Sequence, residues 1–265
     1  MNLVELFNTN PDEVAVIQAR HFVEHRCKKK KVPVPEIPKR CILGFLPQLY
    51  PYIQKTYKTE IIDFINKGHP YYIFKRNNIT LSYLFPGIGA PLSVALLEES
   101  IAMGAESFIF IGTAGVIAPE IRTNELILPS TAVRDEGTSF HYAPAGRYAE
   151  PDFTLLQSLR SVLESNDNSS YEGMTWTTDA PYRETPGKIR RLRDEGCLTV
   201  DMEASALFTV GKVRRIRIAG LFLSSDGVFE DHWELEMPVR RQKKITVQAL
   251  FEIAADALSI SRKNG

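Results

Sequence analysis

Phe108-Ile109-Phe110-Ile111-Gly112-Thr113-Ala114-Gly115 joins four consecutive large apolar residues to a glycine-flanked threonine. Successive side chains of a strand point to opposite faces, so four apolar residues in a row need apolar cover on both sides. That places Phe108–Ile111 in a buried, largely parallel sheet, with a corner expected at Gly112–Gly115. Working outward, further strands are expected at Cys41–Leu46, Thr80–Phe85, Glu125–Leu128, Thr131–Arg134, Thr175–Thr178, Leu198–Val200 and Ile216–Ser224. Helical periodicity covers Pro91–Met103, Phe153–Glu164, Pro186–Glu195, Met202–Lys212 and Pro238–Ser261. Alternation of strand and helix predicts one α/β domain over residues 41–265, with a mixed, mostly parallel central sheet flanked by helices.

Residues 1–40 read as a peripheral addition. A helix is expected over Pro11–His25, with Asn10 as N-cap and Pro11 at the first helical position. Lys28–Lys31 reads as a solvated basic turn, and Pro33, Pro35 and Pro38 space out an extended arm. Asn166–Ser170 is a polar loop, and no internal repeat is visible.

The 265 residues include 32 Lys+Arg and 32 Asp+Glu, so no overall positive field attracts a nucleic acid. The basic clusters at Lys28–Lys31, Arg190/Arg191/Arg193, Arg214/Arg215/Arg217 and Arg240–Lys244 are matched by acids and read as solvated faces. No apolar run approaches the roughly 18–20 residues that span a bilayer, so no membrane partner is expected. The start carries no secretory pattern. Cys27, Cys41 and Cys197 are odd in number and widely spaced, which suggests neither disulfides nor zinc. A reduced, cytoplasmic setting without metal or organic cofactor is the simplest expectation.

Four polar or glycine-rich corners follow four apolar strands, and a parallel sheet gathers such corners on one edge. The first is Gly87-Ile88-Gly89-Ala90-Pro91, ahead of a helix. It either admits a ligand to the backbone and the helix start or makes a tight turn. It is not the dinucleotide fingerprint, because position 92 is Leu. In the second, Thr113 sits between glycine amides and suits an anion or a sugar hydroxyl, or a local turn. The third is Thr199-Val200-Asp201-Met202-Glu203-Ala204-Ser205. Asp201 suits an N-cap and Glu203 the positive helix end, and both are equally placed as ligand residues. The fourth, Leu223-Ser224-Ser225-Asp226-Gly227, sets an aspartate at the rim of an apolar strand. Partial desolvation there favours a proton donor; a turn or cap is the alternative.

In order, GIGAPLSVALLEESIAMGA, FIGTAG, AVRDEGTSFHYAP, WTTDAPYRET, VDMEASALF and the LSSD corner resemble the nucleoside phosphorylase/nucleosidase superfamily over Cys41 to Asp226. The resemblance implies cleavage of the N-glycosidic bond of a nucleoside through an oxocarbenium-like state. Phosphate attacks in the phosphorylases and water in the nucleosidases. It implies that Glu203 bonds the ribose hydroxyls and stabilises developing positive charge, and that Met202 packs beneath the sugar. It places Thr113 at the nucleophile site, with Gly89, Ala114, Gly115 and Asp201 also contacting substrate. Thr178, Asp179 and Tyr182 fall near base and sugar. Asp226 matches the aspartate that purine-acting members direct at the leaving purine. The Gln-x-Arg clamp of uridine phosphorylases is replaced by Pro181-Tyr182-Arg183-Glu184-Thr185, in which Arg183 either contacts a base or pairs with Glu184. Both points favour purine over uridine. A homodimer, or a hexamer of dimers, is also implied.

The chain departs from the pattern where phosphate is held. The G-D-P-x-R loop after the first strand is absent from Cys41–Leu49, and the arginine expected two residues before the Gly-Thr corner is Phe110. The histidine that reaches the sugar's 5′ end has no match, and His21, His25 and His69 read as surface or structural residues. Three readings follow. Arg40, Lys75, Arg76, Arg134 or Arg147 replaces the missing cations and inorganic phosphate is co-substrate; or water is the nucleophile; or the fold binds a nucleoside without turnover. The retained Glu203 and Asp226 favour an enzyme, and phosphorolysis to base and ribose 1-phosphate is the expected reaction.

Overall fold

The computed structural model describes residue 10, residues 13–235 and residues 245–260. Eleven strands form one sheet: β1 (Arg40–Gly44), β2 (Glu60–Ile62), β3 (Tyr71–Arg76), β4 (Ile79–Leu84), β5 (Ser107–Val116), β6 (Leu126–Asp135), β7 (Tyr148–Ala149), β8 (Ser170–Thr178), β9 (Cys197–Asp201), β10 (Arg217–Val228) and β11 (Trp233–Glu234). The α-helices among the described residues are α1 (Ala19–Lys30), α2 (Leu49–Thr56), α3 (Ala90–Ala102), α4 (Phe153–Ser165), α5 (Pro186–Asp194), α6 (Ala204–Arg214) and α7 (Val247–Ser259).

The order is β11-β10-β6-β8-β9-β5-β1-β4-β3-β2, and β10 also pairs with β5. Strands β5, β10, β6, β8 and β9 therefore close into a ring, while β1, β4, β3 and β2 extend the sheet from β5. The pairings β1/β4, β1/β5, β5/β10, β6/β8 and β8/β9 are parallel, and β5/β9, β6/β10 and β3/β4 antiparallel. The expected α/β architecture with a mixed sheet is the one observed.

Burial follows the alternation of the decisive run. Phe108 and Phe110 join Leu97, Phe208 and Phe222 on one face, under α3 and α6. Ile109 and Ile111 join Leu159, Leu221, Leu250 and Phe251 on the other, under α4 and α7. Each such side chain contributes roughly 1.5–3 kcal/mol on burial. Packing at the centre is tight enough to demand glycine: a Cβ on Gly220 would lie 2.2 Å from the Phe110 ring.

Several boundaries differ from expectation. The Gly112–Gly115 segment is no corner, because β5 runs on to Val116. Strand β10 accompanies it in parallel register from Ser107↔Arg217 to Ala114↔Ser224, and Gly115 and Val116 then pair with β9. Backbone bonding to these neighbours holds the glycines extended. Glu125–Leu128 and Thr131–Arg134 merge into β6, with an irregularity between Pro129 and Thr131 where proline cannot donate to the ladder. Among the described residues the first helix starts at Ala19, and 13–18 are not helical. Gln18 and His21 exchange cap bonds, and Pro11 lies outside the described residues. Lys28–Lys30 form its last turn, where cations suit the negative helix end, and Lys31 closes it at φ 58°. Val23 and Cys27 anchor α1 in the main core. The final helix covers 247–259 of the expected Pro238–Ser261, of which 238–244 and Ser261 lie outside the described residues.

Candidate active site

The site grows from the end of β9. Asp201 is buried, and its Oδ1 accepts hydrogen bonds from the Thr175 and Thr177 hydroxyls at 3.0 and 2.9 Å. Its Oδ2 accepts the backbone N–H groups of Glu203 at 2.7 Å and Ala204 at 2.6 Å. Two donors from β8 and two from the start of α6 thus saturate this carboxylate. It caps the helix from two residues upstream and fixes the backbone of Glu203.

Glu203 is 7% exposed, and its Oε1 accepts the Gly89 N–H at 2.6 Å. Gly89 precedes α3 with φ 93°, a conformation that L side chains rarely adopt, and so turns its amide toward the glutamate. Burial first, then the charge of Asp201, pushes the Glu203 carboxyl up to about 8. The N–H groups of Gly89 and Met202 oppose this, and Asp179 adds a smaller push.

Met202 and Glu203 form one wall of a cavity of about 690 Å³. Thr113, Ala114 and Gly115 of β5 form another, and the bulge of β10 a third. There the register breaks between Ser224 and Gly227, which re-aims Ser225 and Asp226. Asp226 Oδ1 accepts the Ser225 hydroxyl at 2.5 Å and Oδ2 the Trp233 indole N–H at 2.7 Å. Gly115 lets these walls meet. A Cβ there would stand 3.1 Å from both Val200 and Val228, and 3.8 Å from Asp226 Oδ1.

The remaining lining includes Pro181, Tyr182 and Glu184 on one side and Phe229, Glu230, His232 and Trp233 on the other. Burial, then the charge of Asp226, pushes Glu184 up to about 7, and Lys188 opposes the rise. Lys188 itself pairs with Asp135 and lies over the Trp176 ring. Glu230 is held by Arg190 and Arg193, each at 2.6 Å.

The cavity thus brings together Thr113, Ala114, Gly115, Tyr182, Asp201, Met202, Glu203 and Asp226 from the sequence-based candidates. Tyr182 is 98% exposed at its mouth. Gly89 acts one step back, through its hydrogen bond to Glu203. Three candidates do not line it. Thr178 is buried and its Oγ1 accepts the Ala180 N–H. Asp179 accepts the Gly137 N–H at 2.7 Å and borders a separate depression with Thr138 and His141. Arg183 is exposed outside the lining. Sequence reasoning passed over Glu184, His232 and Trp233. The aromatic-rich run Phe229–Trp233, directly after the aspartate corner, was the available signal.

The substitute cations are also elsewhere. Arg40 begins β1 at the opposite edge of the sheet and donates to the Leu258 carbonyl. Lys75 is exposed on β3. Arg76 pairs with Glu252 and Asp256. Arg134 binds the Ser139 hydroxyl and the carbonyls of Ala143 and Pro144, and Arg147 pairs with Glu195. Among the described residues, the cavity lining has five acids (Glu184, Asp201, Glu203, Asp226 and Glu230) and no Arg or Lys. No three His, Cys, Asp or Glu among the described residues cluster as a metal requires, and no described helix is long and apolar enough to cross a membrane.

A mixed α/β sheet whose strand ends and bulge deliver carboxylates to a mostly apolar cavity defines a class of small-molecule enzyme folds. Residues 39–258 match the Phosphorylase superfamily, and the chain belongs to that family. It is 30% identical over 141 residues to the guanosine phosphorylase of Halorubrum lacusprofundi, and 32% over 154 residues to the uridine phosphorylase of Treponema pallidum. These matches cover 53% and 54% of this chain, and 58% and 60% of the relatives, so the chain spans under two thirds of their length. A DeoD-type purine nucleoside phosphorylase of Bacillus cereus is 25% identical over 84% of this chain and 94% of its own. The crystal structure of uridine phosphorylase from Vibrio fischeri superposes with a TM-score of 0.70 at 25% identity. That superposition covers 85% of this chain and 93% of the other.

Proposed function

We propose that this protein cleaves the N-glycosidic bond of a nucleoside by phosphorolysis. The bond from C1′ to the base nitrogen breaks, a phosphate oxygen bonds to C1′, and the base nitrogen takes a proton. The products are free base and ribose 1-phosphate. The observation that carries this reading is Glu203, held by Gly89 and Asp201 at the wall of the cavity. Its carboxyl, near 8 without substrate, carries its negative charge unwillingly. Positive charge growing on the ribose favours the ionised form, so the attraction strengthens toward the transition state more than in the ground state. The phosphorylases among its relatives support the same reaction.

Asp226 and Glu184 favour a purine. Burial, and then the charge of Asp226, let Glu184 keep its proton up to about 7, available to a leaving base. Trp233 and Ser225 hold Asp226 in place for that contact.

Hydrolysis is the second reading, favoured by the acidic lining. A phosphate dianion meets five carboxyl-bearing residues and no Arg or Lys among the described residues, whereas water carries no charge. Incubation with inosine, guanosine, adenosine and uridine, with and without phosphate, separates the two. Phosphate-dependent release of ribose 1-phosphate from a purine nucleoside is expected. Free ribose, released equally without phosphate, replaces phosphorolysis by hydrolysis. No cleavage of any nucleoside refutes both.

A further inference from the structure

A second concave site lies at the opposite edge of the sheet and does not depend on the proposed reaction. Strands β1, β5 and β10 run parallel, and their first residues stand in one row: Arg40 beside Ser107, and Ser107 beside Arg217. In-register neighbours on parallel strands face the same way, so the two arginines flank the serine with Cα atoms about 10 Å apart. The row borders a pocket of about 130 Å³, closed on its other side by Thr154 and Ser158, one turn apart on α4.

The charges here are unmatched. Arg217 Nη2 donates to Ser107 Oγ at 2.6 Å and Arg40 Nη1 to the Leu258 carbonyl at 2.7 Å. The nearby acids are engaged elsewhere: Glu106 pairs with Lys39, and Asp152 accepts the Leu155 N–H that starts α4. Among the described residues, neither arginine forms an ion pair. Burial, then the charge of Arg217, lowers the proton affinity of Arg40. Ser158 gives its hydroxyl proton to the Thr154 carbonyl at 3.1 Å, and the two guanidinium groups with the Ser107 and Thr154 hydroxyls around one void are complementary to a compact, multiply charged oxyanion.

We infer that the Arg40–Ser107–Arg217 pocket binds a tetrahedral oxyanion of the phosphate class, bridged between the two guanidinium groups. The anion is either free inorganic phosphate or the terminal group of a phosphomonoester. It is separate from the cavity at Glu203: Ser107 and Thr113 lie on one strand, about 20 Å apart.

The test uses the full chain and an Arg217→Ser variant, whose exposed site tolerates the change. Melting temperature is measured in 10 mM inorganic phosphate, in 10 mM glycerol phosphate and in chloride of equal ionic strength. The intact protein is expected to gain several degrees in phosphate over chloride, and the variant to lose most of that gain. In chloride the variant is expected to melt higher, since one of two mutually repelling positive charges is gone. A gain with glycerol phosphate as well identifies a phosphomonoester site; a gain with inorganic phosphate alone identifies a free-anion site. Crystals soaked in selenate are expected to show anomalous density between Arg40 and Arg217. The same phosphate gain in both proteins, or selenate density only elsewhere, overturns the inference. Nucleoside cleavage is assayed separately, so its failure is distinguishable from failure here.

Discussion

Glu203 accepts its hydrogen bond from the backbone N–H of Gly89, 2.6 Å away and 114 residues earlier in the chain. The glycine loop therefore serves the glutamate: a positive-φ residue ahead of α3 aims an amide that holds one carboxylate oxygen in place. Asp201 holds the same residue from below. The site is thus a supported carboxylate, and its chemistry depends on groups that need not touch substrate.

Replacing Asp201 by Asn leaves two of four donors facing an amide group that cannot accept them. A loss of about 2–3 kcal/mol in folding stability is expected, read from urea denaturation at constant m. Nucleoside cleavage is expected to fall by more than tenfold, because Glu203 loses its fixed backbone. Unchanged stability would contradict the capping role.

Raised carboxyl groups make stability depend on pH in a defined sense. Glu203 binds its proton more tightly folded, near 8, than unfolded, near its ordinary 4.5. Its contribution is complete below about 4.5 and is lost as pH rises toward 8. The stability difference between the parent protein and Glu203→Gln is therefore expected to shift against the parent by on the order of 3–5 kcal/mol from pH 5 to pH 8.5. Denaturant titrations at four pH values check this, and a difference independent of pH would contradict it.

Much of this arrangement was legible in the sequence. The Phe108–Ile111 run required cover on both faces and has it, with its residues divided alternately between two cores. Asp201, Glu203 and Asp226 stand out in the sequence as acids after apolar strands, whereas Met202 came only with the family resemblance. The long reach of β5 and β10 was hidden. Gly112 and Gly115 read as turn residues, and only the partner strands keep them extended. Glu184 and Trp233 were missed because their importance arises from meeting Asp226, 42 and 7 residues away in the chain. The acidic lining is likewise a property of the assembled cavity, visible once Arg76, Arg134 and Arg147 are seen bound elsewhere.

Glu184 gives the leaving base a proton source in the purine reading. The ratio of kcat/KM for the parent protein to that for Glu184→Gln, with a purine nucleoside, is expected to fall as pH rises through about 7. A nucleoside with a better leaving group is expected to show little change. A ratio flat from pH 5.5 to 8.5 would remove Glu184 from proton transfer.

Gly220 tests the core at the strand junction. An alanine Cβ meets the Phe110 ring at 2.2 Å, and Phe110 is itself packed by Phe208 and Phe222. Gly220→Ala is expected to cost about 1–3 kcal/mol, measured by thermal denaturation. A variant as stable as the parent would show that the rings move freely.

The central claim is that the negative charge of Glu203 favours a cationic sugar. Its most direct test is steady-state kinetics of Glu203→Gln with the best substrate of the nucleoside panel. Glutamine keeps the size and the acceptor for the Gly89 N–H, and loses only the charge. A fall of about 10²–10³-fold in kcat with KM changed far less is predicted. A kcat within threefold of the parent value would contradict the claim.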